Sequence, residues 1–150
     1  MPYFCDEVAL RSSNYCLFHD QDYWKYNPDR INKRLAQRIE ASKQSKKTLF
    51  CIGYNLFEIR LTERFDAPVY FDFAKFHAWP YFKGTTFDVA SFEGARFEGP
   101  AVFQEVTFRK ADFKRATFND EANFQRTVFG EHDFAECKFL GWAMFNGVNL

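Results

Sequence analysis

Phenylalanine recurs through the second half of the chain at a nearly fixed spacing, and this spacing restricts the possible fold more than any other feature. The series starts at Phe82 and continues through Phe87, Phe92, Phe97, Phe103, Phe108, Phe113, Phe118, Phe124, Phe129, Phe134, Phe139, Phe145 and finally Leu150. The steps are five, five, five and six residues, repeated three times and followed by a last five, so the true period is 21 residues. Neither an α-helix nor an ordinary hairpin sheet has this period, whereas a closed coil with four short sides does.

A second column of residues supports the same geometry. A small or compact residue lies two positions before most of these phenylalanines, and the set is Thr85, Ala90, Ala95, Ala101, Val106, Ala111, Ala116, Ala122, Thr127, Ala143 and Val148, with His132 and Cys137 as exceptions. Residues separated by one position lie on the same face of an extended strand. Each unit is therefore predicted to be a very short strand with one small and one large side chain pointing inward.

Stacked coils explain how such a chain is stabilised. Coils about 4.8 Å apart let backbone groups pair between neighbours and place one Phe above another. Each buried Phe contributes roughly 2–3 kcal/mol, and a single coil cannot bury its interior alone, so stability depends on neighbouring coils. The extra residues of the six-residue steps are predicted to form an outward bulge at one edge, at Trp79, Pro100, Glu121 and Trp142.

The beginning of the repeat is less regular. We predict an irregular first coil over residues 61–81, where Phe65 comes one position early and Asp66 takes the core position. Three regular coils are predicted from Phe82 to Met144.

Units such as ASFEGARFEG, VTFRKADFKRATF and FAECKFLGWAMF resemble those of pentapeptide-repeat proteins with Phe at the central position. The resemblance covers about residues 60–150 and implies a mainly β fold, a right-handed quadrilateral β-helix. It predicts two parts: residues 1–58, a Cys/His segment with a capping helix, and residues 59–150, the β-helix.

The N-terminal part contains a candidate metal site. The N-terminal segment carries Asp6 and Glu7 where a signal peptide needs a basic start and an apolar block, so we expect a cytoplasmic protein whose cysteines are thiols or metal ligands. Cys16 and His19 are separated by two residues, a spacing that suits a tight turn around Zn²⁺. With Cys5 they give three local ligands, and Cys51 is the predicted fourth, with His77 a weaker candidate.

Any zinc bound by these residues is expected to be structural, because no open coordination position is implied. The run YCLFHD also resembles a short Cys/His segment that precedes the repeats in some family members. The alternative interpretation is that Cys5 and Cys16 are small buried hydrophobic residues and that His19 caps a turn or lies at the surface.

A helix is predicted to begin near Asn27, which can cap it, with Pro28 at the first helical position. Ile31, Leu35 and Ile39 share one face, while the other faces are rich in Arg and Lys. The basic surface suggests either a site for nucleic acid or anionic lipid or the solvated face of a helix that covers the open end of the β-helix. We favour the second interpretation.

Catalytic motifs are absent from the sequence. There is no Gly-rich phosphate loop, no Gly-x-Ser-x-Gly and no His-Glu-x-x-His. His132 falls in an inward column with Ala90 and Ala111, and Cys137 in a column with alanines, so both are expected in the interior. We therefore expect no enzyme activity and no cofactor beyond one structural zinc.

The predicted function is a non-catalytic protein-binding or scaffold module with an unidentified protein partner. The alternative, implied by the resemblance, is a DNA mimic that modulates a type II topoisomerase or another DNA-binding protein. Residues 82–150 carry 8 basic and 10 acidic residues, a net charge of −2. Duplex DNA carries one negative charge per about 1.7 Å, so the mimic is the weaker hypothesis. The charge balance of the whole chain makes nucleic-acid binding unlikely as well, and no stretch approaches the roughly 20 apolar residues of a membrane span.

The last predicted coil is apolar, with Trp142, Met144, Phe145, Val148 and Leu150. Terminal repeats of a solenoid normally have a polar cap. The sequence is therefore compatible with end-to-end stacking of two chains or with a longer solenoid, and we expect a homo-oligomer formed through this coil.

Overall fold

The computed structural model describes residues 5–150, which form two helices and sixteen short strands. The helices are α1, Tyr23–Tyr26, and α2, Pro28–Ser45. The strands are β1 Leu49–Phe50, β2 Asn55–Leu56, β3 Ile59–Arg60, β4 Arg64–Phe65, β5 Val69–Tyr70, β6 Lys75–Phe76, β7 Pro80–Tyr81, β8 Thr86–Ser91, β9 Arg96–Phe97, β10 Ala101–Val102, β11 Thr107–Asp112, β12 Thr117–Phe118, β13 Ala122–Asn123, β14 Val128–Asp133, β15 Lys138–Phe139 and β16 Ala143–Met144.

Every strand pairing among these elements is parallel and joins one coil to the next. Two five-stranded sheets run in the orders β16-β13-β10-β7-β3 and β15-β12-β9-β6-β2. The third sheet, β1-β5-β8-β11-β14, also takes in β4, because β4 and β5 pair with opposite ends of the longer β8. Since β8, β11 and β14 each continue around a corner, three sheets form four sides. The predicted mainly β fold is confirmed as a parallel solenoid of about five turns.

The interior contains the predicted columns of aromatic rings. Phe103 is fully buried and stacks on Phe82 in the coil before it, with ring centroids 4.9 Å apart, and on Phe124 in the coil after it, at 4.8 Å. Phe97 and Phe118 stack at 4.4 Å in a neighbouring column. From Phe82 to Phe129, the buried rings are therefore those that the 21-residue period selects.

The first coil departs from the prediction at one position. Phe65 is buried, lies in register with Phe87 and stacks on it, whereas Asp66 is exposed and accepts a hydrogen bond from Arg64. The prediction that Asp66 takes the core position is wrong. The step from Leu61 to Phe65 is one residue shorter than usual, and the step from Phe65 to Phe71 is one residue longer. The aromatic ring therefore keeps its place in the column.

Strands β1 and β2 precede residue 59, where the sequence places the start of the β-helix, and they pair with β5 and β6 of the next coil. Helix α2 lies against β1. Its Ile31 and Leu35 are buried in the same cluster as Leu49 and Cys51. Asn27 does not cap the helix with its side chain, which instead donates to the Tyr23 carbonyl at 3.3 Å.

The two unusual residues of the small-residue column lie in the last coil. His132 is in register with Ala111, as predicted, but it is exposed because no further coil covers it within residues 5–150. Its Nδ1 lies 3.0 Å from the Gly130 carbonyl oxygen. Cys137 is half-buried, and desolvation raises the pKa of its thiol to about 11. None of the helices in the described part of the chain has both the length and the apolar character needed to cross a membrane.

Candidate metal centre

Three of the four predicted metal ligands lie together near the first coil. The Sγ atoms of Cys5 and Cys16 are 3.3 Å apart, and Cys16 Sγ is 3.2 Å from His19 Nδ1. All three candidate donor atoms lie within 4.8 Å of one another. Two sulfur donors and one imidazole nitrogen form the kind of ligand set that Zn²⁺ prefers.

Local backbone structure brings these residues together. Ala9 and Cys16 form an isolated antiparallel bridge, so the chain between Cys5 and Cys16 turns back on itself. The N–H groups of His19 and Asp20 both donate to the Cys16 carbonyl at 3.0 Å. This tight turn places the Cys16 and His19 side chains on one side, as the two-residue spacing predicts.

The orientation of His19 suits a metal ligand. Its Nε2 lies 2.9 Å from the carbonyl oxygen of Ile52, which can only accept a hydrogen bond. A neutral imidazole that donates from Nε2 has an unprotonated Nδ1, and this Nδ1 faces Cys16. The ring also contacts Tyr54 edge-on, with centroids 5.3 Å apart. Metal-binding histidines commonly donate their second ring N–H to a backbone carbonyl, which fixes the ring and its tautomer.

Burial affects the Cys5 thiol in a way that matters for metal binding. Burial raises the pKa of the Cys5 thiol, and the hydrogen bond with Cys16 raises it further. The metal-free form of Cys5 is therefore a thiol at neutral pH. Because Zn²⁺ binds the thiolate, metal binding must release this proton, and affinity must fall as pH decreases.

A network of ion pairs holds the chain next to Cys5 against α2. Glu7 pairs with Arg34 at 2.8 Å and with Arg38 at 2.9 Å, and Arg38 also pairs with Asp6. Burial raises the pKa of Glu7, but the hydrogen bonds from both arginines outweigh it and the net pKa is lowered. These contacts span about thirty positions along the chain, so no local sequence signal identifies them.

The other two candidate ligands lie outside this group. Cys51 is fully buried, and desolvation raises the pKa of its thiol to about 12, although Arg38 lowers it slightly. His77 is 2.7 Å from a Glu98 carboxylate oxygen and 3.1 Å from Asn55 Oδ1, and its ring stacks on Trp24 at 3.8 Å. The described residues thus bring together three candidate ligands, and neither Cys51 nor His77 lies within that group.

Comparison with known proteins agrees with the fold. A parallel solenoid with a repeating aromatic core defines a small class of repeat proteins. The family model described as "Pentapeptide repeats (9 copies)" matches residues 64–107 and 103–149, which is more than half of the chain. The chain therefore belongs to the pentapeptide-repeat family. No curated protein and no solved structure matches it.

Proposed function

We propose that this chain is a non-catalytic protein-binding module that pairs with a second copy of itself through its last coil. The observation that carries the proposal is the state of the sheet edges in that coil. All three sheets end there, at β14, β15 and β16. The N–H groups of Phe134 and Phe145 have no hydrogen-bond acceptor among residues 5–150.

The same positions one coil earlier are fully paired. The Phe113 N–H donates to the Asp133 carbonyl, and the Phe124 N–H donates to the Met144 carbonyl, each at 2.8 Å. Exposed strand edges are ready templates for pairing with another chain. In a twofold pair, the edge of one copy meets the same edge of the other, running antiparallel, so both copies can exchange hydrogen bonds.

Apolar side chains surround these edges. Trp142 is 85% exposed, Leu140 69% and Phe145 42%. The Phe145 ring stacks on Phe124 at 5.2 Å on one side only. Exposed apolar side chains in the same coil as unpaired backbone groups are typical of an interaction site.

The charges on the sides of the solenoid favour this function over DNA mimicry. Acidic residues are paired with basic residues of the following coil, as in Asp88–Arg109, Glu93–Arg115 and Glu105–Arg126. A mimic needs a continuous run of unpaired negative charge. The pairs therefore support a neutral scaffold.

We further propose that Cys5, Cys16 and His19 hold one structural Zn²⁺. The ion would fix the hairpin of residues 5–16 to the turn at His19 and, through the Ile52 carbonyl, to the first coil. Its contribution is to folding, because zinc sites of this kind organise segments that have too small a core of their own.

A pair of substitutions tests the proposed pairing. Replacing Leu140 and Trp142 with Glu places charge in the apolar surface. We expect the dissociation constant of the dimer to rise at least about tenfold. Light scattering after size-exclusion chromatography, repeated over a dilution series, measures the molar mass. Trp79→Glu is the matched control, since Trp79 is 67% exposed and occupies the same column three coils earlier.

The proposal predicts a dimer for the wild type and the Trp79 variant, and a monomer for the Leu140/Trp142 variant. A monomeric wild type at every concentration contradicts it. So does a loss of pairing that is equal in both variants.

A further inference from the structure

A cleft lies between helix α2 and the hairpin of residues 5–16 that precedes it. Its volume is about 790 Å³, within the range of roughly 300–1,000 Å³ typical of ligand sites. One wall is formed by residues 7–12 and the other by Arg30, Lys33, Arg34 and Gln37 of α2, with Leu17 and Tyr23 completing the lining.

The cleft has an excess of positive charge. Arg11, Arg30 and Lys33 form no ion pair within 4.0 Å of any acidic group in the described part of the chain. Arg34 is neutralised by Glu7, the one acidic residue in the lining. Three cations therefore remain uncompensated around one concave surface, and such a surface concentrates anionic ligands.

Apolar groups lie among these cations. Val8 is highly exposed, Leu10 and Tyr23 are half-buried, and Leu17 is buried beneath them. An apolar surface with a few convergent charged groups selects a ligand that offers both kinds of contact.

We propose that this cleft binds a short acidic peptide segment of a partner protein, with an apolar side chain between its carboxylates. Three cations within one cleft match a few neighbouring carboxylates, not a long polyanion. Peptide binding to one chain does not depend on self-pairing through the last coil.

The position of the cleft gives it a separate role from the last coil. Helix α2 contacts β1 of the first coil, whereas the unpaired edges belong to β14, β15 and β16. A dimer formed through the last coil would therefore present two such clefts at its two ends. The module would then link two copies of an acidic partner segment.

The test uses a fluorescently labelled peptide, Glu-Asp-Glu-Leu-Asp-Glu, in fluorescence-polarisation titrations with the full chain. The double variant Arg30→Glu/Lys33→Glu is expected to bind it at least about tenfold more weakly, because two attractive charges become repulsive. Added salt is expected to weaken wild-type binding. The matched control, Lys46→Glu/Lys47→Glu, makes the same charge change at the other end of α2, outside the cleft, and is expected to keep wild-type affinity.

Two further probes identify the ligand class. One probe is the uncharged peptide Gln-Asn-Gln-Leu-Asn-Gln, and the other is the acidic peptide with its leucine replaced by serine. Both are expected to bind more weakly than the original probe. Failure of the acidic peptide to bind wild type overturns the proposal, as does equal loss in the two double variants. Tighter binding of single-stranded DNA or of phosphatidylserine vesicles, lost in the Arg30/Lys33 variant, also overturns it in favour of those ligands. Circular dichroism establishes that each variant is folded.

Discussion

Replacing Phe103 with Ala is expected to destabilise the protein by about 3–5 kcal/mol, the usual cost of removing a buried aromatic ring. Phe103 is fully buried and stacks on the rings of Phe82 and Phe124 at 4.9 and 4.8 Å. A cavity at this position interrupts the aromatic column between three consecutive coils. Since the stability of a solenoid depends on contacts between neighbours, the effect is expected to reach both sides of the substitution.

Chemical denaturation, followed by far-ultraviolet circular dichroism, measures this loss. Phe50→Ala is the matched control, because Phe50 is 49% exposed and, among residues 5–150, its ring stacks on Tyr70 alone, with centroids 5.5 Å apart. We expect the control to cost about 1 kcal/mol or less, in proportion to the smaller area it buries. Similar losses in the two variants would contradict the assignment of the repeating rings to the core.

The second large effect concerns the metal. Protein purified without chelators is expected to contain about one zinc per chain, the stoichiometry of a single structural site. Cys16→Ala removes the ligand that contacts both Cys5 and His19, so we expect this variant to lose most of its zinc. We also expect zinc to be released as pH decreases, because the raised pKa of the Cys5 thiol favours its protonated form.

Elemental analysis by mass spectrometry gives the zinc content, and thermal unfolding with and without a chelator gives its effect on stability. Cys137→Ala is the matched control, since Cys137 lies in the last coil. Cys51→Ala tests the fourth ligand predicted from the sequence, and retention of zinc is expected because Cys51 lies outside the ligand group. Wild-type protein without zinc, or equal zinc in the Cys16 and Cys137 variants, would refute the site.

The fold was predictable because one physical constraint repeats. From Phe82 onward, aromatic residues 21 positions apart fill the same position in successive coils. This repetition identifies the period even though the outward-facing residues vary. The exception at Phe65 shows the limit of this approach. There the chain shortens one step and lengthens the next, so counting residues gives the core position to Asp66, whereas packing gives it to the aromatic ring.

The candidate metal site was predictable only where its residues are close in sequence. The Cys16–His19 pair follows from a tight turn, which the spacing defines. Cys51 is a candidate fourth ligand only if the helix between it and His19 folds back, and the sequence does not define that path. The contact that orients His19 comes from a backbone carbonyl, at Ile52. Every residue has a carbonyl, so the sequence contains no signal for this partner.

The cleft illustrates the same limit for surface charge. The excess of Arg and Lys along α2 is evident from the sequence, but it does not show which cations have acidic partners. The structure pairs Arg34 and Arg38 with Glu7, and Lys43 with Glu63. Each of these contacts depends on how distant segments pack. Arg30 and Lys33, which have no acidic partner within the described part of the chain, line the cleft.

Amide hydrogen exchange of Phe134 and Phe145 tests the proposed pairing of last coils most directly, because it follows the unpaired N–H groups themselves. In a dimer formed through these edges, both amides acquire acceptors from the second copy. We expect them to exchange slowly in concentrated protein and rapidly after dilution, while the amides of Phe113 and Phe124 stay protected throughout. Rapid exchange of Phe134 and Phe145 at every concentration would contradict the proposed function.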